Sequence, residues 1–181
     1  MVVDNDEQRR LAALHSYKIL DTPNEERFDR IVRMAARVFG SPIGLISLVD
    51  KDRQWFKATI GLDAKETPRA ISFCTYAIQQ RDVFVVGDAA GDERFANNPL
   101  VTGEPKIRFY AGAPLITPGG QAIGTVCVID HMPWMDLPDF AKEALQDYAA
   151  AIMDWLESDR KVRELTEENA RLKAELAGRK V

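Results

Sequence analysis

Two cysteines and two histidines are the side chains with which this sequence could do nucleophilic, redox or soft-metal chemistry. Cys74 and Cys127 are too few for a four-cysteine zinc site or a disulfide framework. His15 lies ahead of the strand-forming region and His131 just beyond a strand end, so both are expected at the surface rather than in a metal site. A thiol enzyme needs an attacking thiolate and a resolving thiol within bonding reach. Cys127 stands in the uncharged run Ala122 to Ile129, and Cys74 stands beside Phe73, Ala77 and Ile78, both settings for a small core filler whose pKa burial would raise. No Ser-His-Asp set, phosphate loop or metal-ligand spacing occurs, so the expectation is a chain that is not an enzyme. Binding is the chemistry that remains. Trp55, Phe73, Tyr76, Phe95, Phe109 and Tyr110 could line an apolar site, with Cys74 as a thiol in it and Asp88, Asp92 and Arg108 able to orient a polar ligand. Each has a plainer reading: aromatic residues pack, and Asp and Arg cap turns and pair with each other.

Those residues need elements to position them. Ile107 to Ile116 and Ala122 to Asp130 flank Pro118-Gly119-Gly120, a tight reversal between two apolar runs. The second run is uncharged on both alternating faces, which places it mid-sheet. Ile43 to Val49 is a strand buried on both sides, and Gln54 to Ile60 alternates more polar residues, as an edge strand does. Asp6 to Leu20 reads as a short helix with Leu11, Leu14 and Tyr17 inward. A second helix starts at Thr22-Pro23-Asn24-Glu25, where Thr22 can cap and Glu25 complete a capping box. It buries Phe28, Ile31, Val32, Ala35, Val38 and Phe39, and Gly40 and Pro42 end it. Residues 61–69 read as loop, 71–80 as a short helix and 83–86 as a brief strand. The segment 87–106, rich in Gly, Asn and Pro, is too long for a simple connection and is expected to roof a pocket together with 71–80.

At 181 residues the chain has room for one ordinary domain and an extension. A net charge of −4 argues against a general nucleic-acid binder. No apolar run approaches the roughly 20 residues that span a bilayer, and the polar start is unlike a signal peptide, so the cytoplasm is the expected compartment, with no membrane partner.

Ser72 to Ile78, Val85 to Val101, Phe109 to Leu115 and Gly124 to Asp130 together closely resemble the GAF domain of bacterial signalling proteins. Arg9-Arg10-Leu11 and Leu20-Asp21-Thr22-Pro23 resemble the same subgroup, and the match runs from about Glu7 to Leu156. The resemblance implies an α+β, GAF-like (PAS-like) fold: an antiparallel sheet of five or six strands, helices on one face and a small-molecule pocket on the other. It also implies a sensor that acts on a separate output protein. The family's ligand subtypes can be tested on these residues. Bilin-binding members attach pigment to a cysteine followed by histidine, whereas Cys74 precedes Thr75 and Tyr76. Cyclic-nucleotide-binding members carry an Asn-Lys pair, which is absent, although Asp92-Glu93 is present and Phe95 falls on the wrong side of it. No cofactor or ligand is named by this. The alternatives are a thiol enzyme like the GAF proteins that reduce free methionine sulfoxide, and a ligand-free dimerisation module.

The C-terminal stretch carries a physical argument of its own. Asp136-Leu137-Pro138-Asp139 reads as a helix start. No Gly or Pro then occurs before Gly178, a run that would span about 60 Å as helix. Its first part is expected to pack through Phe140, Leu145, Ala149, Ile152 and Leu156. Its last part repeats apolar residues as a heptad seam: Val162, Leu165, Asn169, Leu172 and Leu176, with Trp155 and Ser158 continuing the register backwards. Asn169 at an a position favours a parallel, two-stranded pair, with Glu168 facing Lys173 and Glu175 facing Lys180 of a second copy. The expected organisation is an N-terminal helix over 1–20, a GAF domain over 21–156 and a dimeric coiled-coil helix over 157–181.

Overall fold

Residues 5–178 are described by a computed structural model of the chain. Helix α1 (Asn5–Ser16) buries Arg10 and Leu14, and α2 (Glu26–Phe39) buries Phe28, Ile31, Val32, Ala35 and Phe39 at helical spacing. Gly40 closes α2 at φ 61°, a left-handed conformation that glycine adopts without a Cβ penalty. Two expectations about α2 need correction. Val38 lies on the flank of the apolar stripe and is 56% exposed. Thr22 does not cap: its hydroxyl donates to the Ile19 carbonyl at 2.6 Å and accepts from Lys57 Nζ, and Glu25 holds the cap position with its carboxylate turned to Arg27 and Lys57 rather than to the helix amides.

Six strands form one antiparallel sheet in the order β3-β2-β1-β6-β5-β4. They are β1 (Ile43–Val49), β2 (Arg53–Ile60), β3 (Glu66–Pro68), β4 (Phe84–Val86), β5 (Phe109–Ile116) and β6 (Ala122–Asp130). The apolar β1 and β6, charged only at the terminal Asp130, are the central pair, as residues covered on both faces require. β2 is not the edge that its polar residues imply, because β3 pairs with Arg53, Gln54 and Trp55 where a loop was expected. A bulge explains the misleading pattern. The β1–β2 register shifts between Ile46 and Ser47, leaving Lys57 as the extra residue of β2. Lys57 and Ala58 consequently both serve the helix-covered face. Lys57 is buried, with its ammonium 2.7 Å from the Glu25 carboxylate and 5.3 Å from the centre of the Phe28 ring.

That face is filled by α1, α2 and the first part of α5 (Asp139–Gly178), which buries Ala141, Leu145, Ala149, Ile152, Met153 and Leu156. Phe140 does not join them; it is 68% exposed on the opposite side of the first turn. Trp155 also departs from expectation: its ring meets Phe28 edge-on at 5.8 Å within its own chain, so it belongs to the domain core rather than to the seam. Beyond Leu156 the helix stays tethered by polar contacts alone. Tyr17 donates to Glu157, Arg27 pairs with Asp159, Arg163 donates to the Ser16 carbonyl and Lys18 pairs with Glu167. Burial and the carboxylate of Glu157 together push the Tyr17 hydroxyl above its usual pKa.

Candidate functional site

The other face of the sheet has no long helix to cover it. Two very short ones, α3 (Cys74–Ala77) and α4 (Pro99–Thr102), with the turns between them, lie across it instead of the longer helix expected over 71–80. What holds them is an aromatic stack. Phe73 lies parallel to Phe95 with ring centres 4.0 Å apart, Tyr76 meets Phe95 edge-on at 4.9 Å, and Phe84 and Tyr110 complete the cluster from the sheet. Asn98 does the corresponding polar work: its side-chain oxygen caps α4 at Leu100 N (2.9 Å) and its amide donates to the Ile71 carbonyl (3.0 Å). Arg108 ties the end of the segment back through the carbonyls of Val101 and Ile107.

Such a cover leaves a gap. A cavity of about 320 Å³ lies between the sheet and the 87–106 segment. Its floor is Ile43, Leu45, Phe56, Tyr110 and Ile129; its roof is Leu100, Pro105 and Ile107; Leu62 and Ala64 close the side. The Tyr110 ring lies back along its own strand over Gly112, where a Cβ would come within 2.3 Å of the Tyr110 hydroxyl. Glycine is needed there for the ring to take that place.

One polar cluster borders the cavity. Gln54, 4% exposed, accepts from the hydroxyls of Ser72 (2.7 Å) and Ser47 (3.2 Å) and donates to Thr67 Oγ1 (2.6 Å). A second group surrounds Cys74, whose sulfur accepts from Thr125 Oγ1 at 3.2 Å and Tyr110 Oη at 3.4 Å. A hydrogen bond from Cys127, then those hydroxyls and Ser47, hold the Cys74 thiol below its ordinary pKa, against the opposing effect of burial. Cys127 is driven the other way by the same contact and by burial. Burial was expected to raise both thiols; the converging donors reverse that for Cys74, which is buried at the cavity wall.

Of the residues that the sequence offered for a site, Phe73, Cys74 and Tyr110 line the cavity. Phe95 supports Phe73 from behind, and Tyr76, 38% exposed, packs outside Phe95. Asp88 and Asp92 do not reach it: Asp88 accepts from the Ala90 amide, and Asp92 caps a turn and pairs with Arg94. Phe109 points to the opposite face, stacked on Trp134 at 4.3 Å in the helix-side core. Neighbouring strand residues face opposite ways, so Phe109 and Tyr110 could not both line one pocket. Gln54, Thr67, Leu62 and Ala64 also line the cavity and carried no signal in the sequence, where Gln54 stands between Arg53 and Trp55. His15 is exposed and pairs with Asp50, and His131 is exposed too. Among the described residues no group of three or more His, Cys, Asp or Glu side chains could hold a metal ion, and no helix is long and apolar enough to cross a membrane.

A six-stranded antiparallel sheet with long helices on one face and a roofed cavity on the other is the architecture of a GAF-type domain. The GAF domain family model matches residues 23–154, and the chain belongs to that family. A cyclic di-GMP phosphodiesterase of Pseudomonas aeruginosa is 47% identical over 148 residues, 82% of this chain. The chain spans only 25% of that relative's length. Among solved structures, the GAF domain of an Acinetobacter phosphoenolpyruvate-protein phosphotransferase superposes with a TM-score of 0.64 at 19% identity, covering 88% of this chain and 98% of that one. A free methionine-R-sulfoxide reductase of Neisseria meningitidis superposes at 0.62 and 16% identity, covering 90% and 96%. At such identities these two establish the shared fold and nothing finer.

Proposed function

We propose that this chain is a non-catalytic sensory module of signal transduction, which binds a small molecule in the roofed cavity and passes its occupancy to a dimeric C-terminal helix. The cavity is the observation that carries the reading: a partly open, apolar volume in the size range of ligand sites, formed where the sheet meets short, pinned turns. Cys127, the one other thiol, lies in the sheet outside the cavity lining and has its pKa pushed up by its contact with Cys74 and by burial, which disfavours the methionine sulfoxide reductase alternative, since that chemistry needs a resolving thiol as well as the attacking one. The identity to a cyclic di-GMP phosphodiesterase favours, as the output, a protein or domain that turns over cyclic di-GMP in the cytoplasm.

A route from pocket to helix runs through α1. Arg69, at the start of the turn that leads to Phe73, bonds Glu7 at 2.6 Å, and Glu7 holds Arg10 at 2.8 Å. At the far end of the same α1 segment, Tyr17 and Lys18 hold Glu157 and Glu167 of α5. From Glu157 onward Val162, Leu165, Leu172 and Leu176 are 45–61% exposed, an apolar seam that a partner could cover. Asn169 bonds only its own helix, at the Leu165 carbonyl. A second copy in parallel would cover this seam and bring Glu168 beside Lys173; Lys180, proposed to face Glu175, lies outside the described residues. A ligand-free dimerisation module is the second reading, and the exposed seam is what favours it.

Native mass spectrometry with hydrogen exchange tests the proposal. Bound ligand should protect 71–74 and 100–110 from exchange, and the protein should run as a dimer that Leu165→Asp with Leu172→Asp reduces to monomer. A monomer at high micromolar concentration would refute the dimeric transmission, and protection confined to α5 would leave only the dimerisation module.

A further inference from the structure

We infer that the cavity selects an uncharged, mainly hydrocarbon molecule on the order of ten non-hydrogen atoms, bearing one hydrogen-bond acceptor that docks against Gln54 and Thr67. The inference rests on the reading of the cavity as the ligand site and goes on to name the chemistry of its occupant. Size comes first: about 320 Å³, at water's share of about 30 Å³ per non-hydrogen atom, holds about ten such atoms.

Charge comes second. Among the described residues that line the cavity there is no Lys, Arg or His. The single charged residue is Glu104, exposed at the rim and 3.5 Å from Lys106. A phosphate or carboxylate would be stripped of water against Ile43, Leu45, Phe56 and Ile129 with no cation inside the cavity to meet it, since Lys106 at the rim is paired with Glu104. A cation would meet a carboxylate only at that rim. The Gln54 carbonyl oxygen is taken by two hydroxyls, and the Cys74 sulfur by two more.

The polar end comes third, from a count of donors and acceptors. Gln54 carries two amide protons and spends one on Thr67 Oγ1. Thr67 accepts that bond, and its own hydroxyl proton has no acceptor among the described residues. One amide proton and one hydroxyl proton are thus unspent at neighbouring atoms of the cavity wall. Both are donors, so the complementary ligand group is an acceptor such as a ketone, ester or ether oxygen. A ligand hydroxyl or amine would find only the one remaining lone pair of Thr67 Oγ1 to receive its proton, whereas an acceptor can take both unspent protons.

Three probes of matched size separate these points when titrated into the full chain with methyl NMR of Ile43, Leu45 and Ile129. Acetophenone carries the acceptor, isopropylbenzene replaces its carbonyl by hydrocarbon, and benzoate adds a charge. Acetophenone should shift these methyls and bind about 3- to 10-fold tighter than isopropylbenzene, the range of one net hydrogen bond. Benzoate should leave them unmoved. Thr67→Val should bring acetophenone down towards isopropylbenzene, and Ala64→Trp, which fills the side of the cavity, should abolish both. Benzoate binding at these methyls as tightly as acetophenone would overturn the inferred ligand class and leave the pocket standing. Equal binding of acetophenone and isopropylbenzene would overturn the acceptor alone. Shifts confined to other surfaces, or none with any probe, would overturn the ligand class and the pocket together, and this reading needs only the unmodified protein.

Discussion

The two faces of the sheet are built from the same strands and covered by opposite means. On one, α1, α2 and α5 lay down continuous apolar stripes, and Phe28, Leu145 and Ile152 have no exposed surface at all. On the other, helices of a single turn and their connections span the strands, held by aromatic stacking at one end and leaving a cavity at the other. A regular helix repeats its contact every turn and closes a face; a turn-rich cover pins itself at a few points and cannot fill between them. The packed face supplies stability, and the open one leaves a cavity.

The largest effect should come from removing a side chain from the packed face. Phe28→Ala loses the contacts to Trp155, Arg27 and Lys57 and should cost about 3–5 kcal/mol in urea unfolding. Leu100→Ala, in the cavity roof, gives up contacts on one side only and should cost about 1 kcal/mol. Equal losses would break the distinction between the faces. Cys74→Ser sharpens it within the open face. The smaller serine keeps a polar acceptor for Thr125 and Tyr110, so the protein should fold with a loss of about 1 kcal/mol. An alkylating reagent should label the wild-type thiol slowly at neutral pH, at a rate set by opening of the cover rather than by ionisation; rapid, complete labelling of the native protein would show that this cover is not closed.

The smallest effect concerns the seam where α1 joins the two faces. Hydrogen bonds from Arg10 and then Arg69 hold the Glu7 carboxyl down from 4.5 to about 2, against partial burial. A carboxylate whose pKa is depressed on folding contributes stability above its unfolded pKa and loses it as pH falls through the folded value. The wild type should therefore lose stability between about pH 4.5 and 2 through this group. Glu7→Gln should remove that slope at a cost of up to about 1 kcal/mol at neutral pH, since the pair is partly exposed. An unchanged acid profile would mean that Glu7 does not bridge the faces.

How far the fold could be read in advance follows from the length of each signal. β1, β6, α2 and α5 repeat an apolar pattern over seven or more residues, and their existence and type were legible. β3, α3 and α4 have three or four residues each and carry no period to read. Around the candidate site, Phe73, Cys74 and Tyr110 were legible, and Phe109 misled because both faces of β5 are buried and residue type does not name a face. Lys57 misled for a related reason: a bulge moved a charged residue from the expected edge into the core, where Glu25 and Thr22 meet it.

By itself the sequence determined the central pair of strands, the covering helices, the chain reversal at Pro118 to Gly120 and the unbroken length of the last helix. All of these follow from local spacing, which is a property of the chain in order. Only the tertiary structure decided which aromatic residues face the cavity, that β3 pairs with β2, that Trp155 turns to Phe28 instead of to the seam, and that Gln54 and Thr67 keep unspent donors at one spot. Those outcomes depend on register and on residues brought together from distant parts of the chain, and a shift of one residue in a strand exchanges one face for the other.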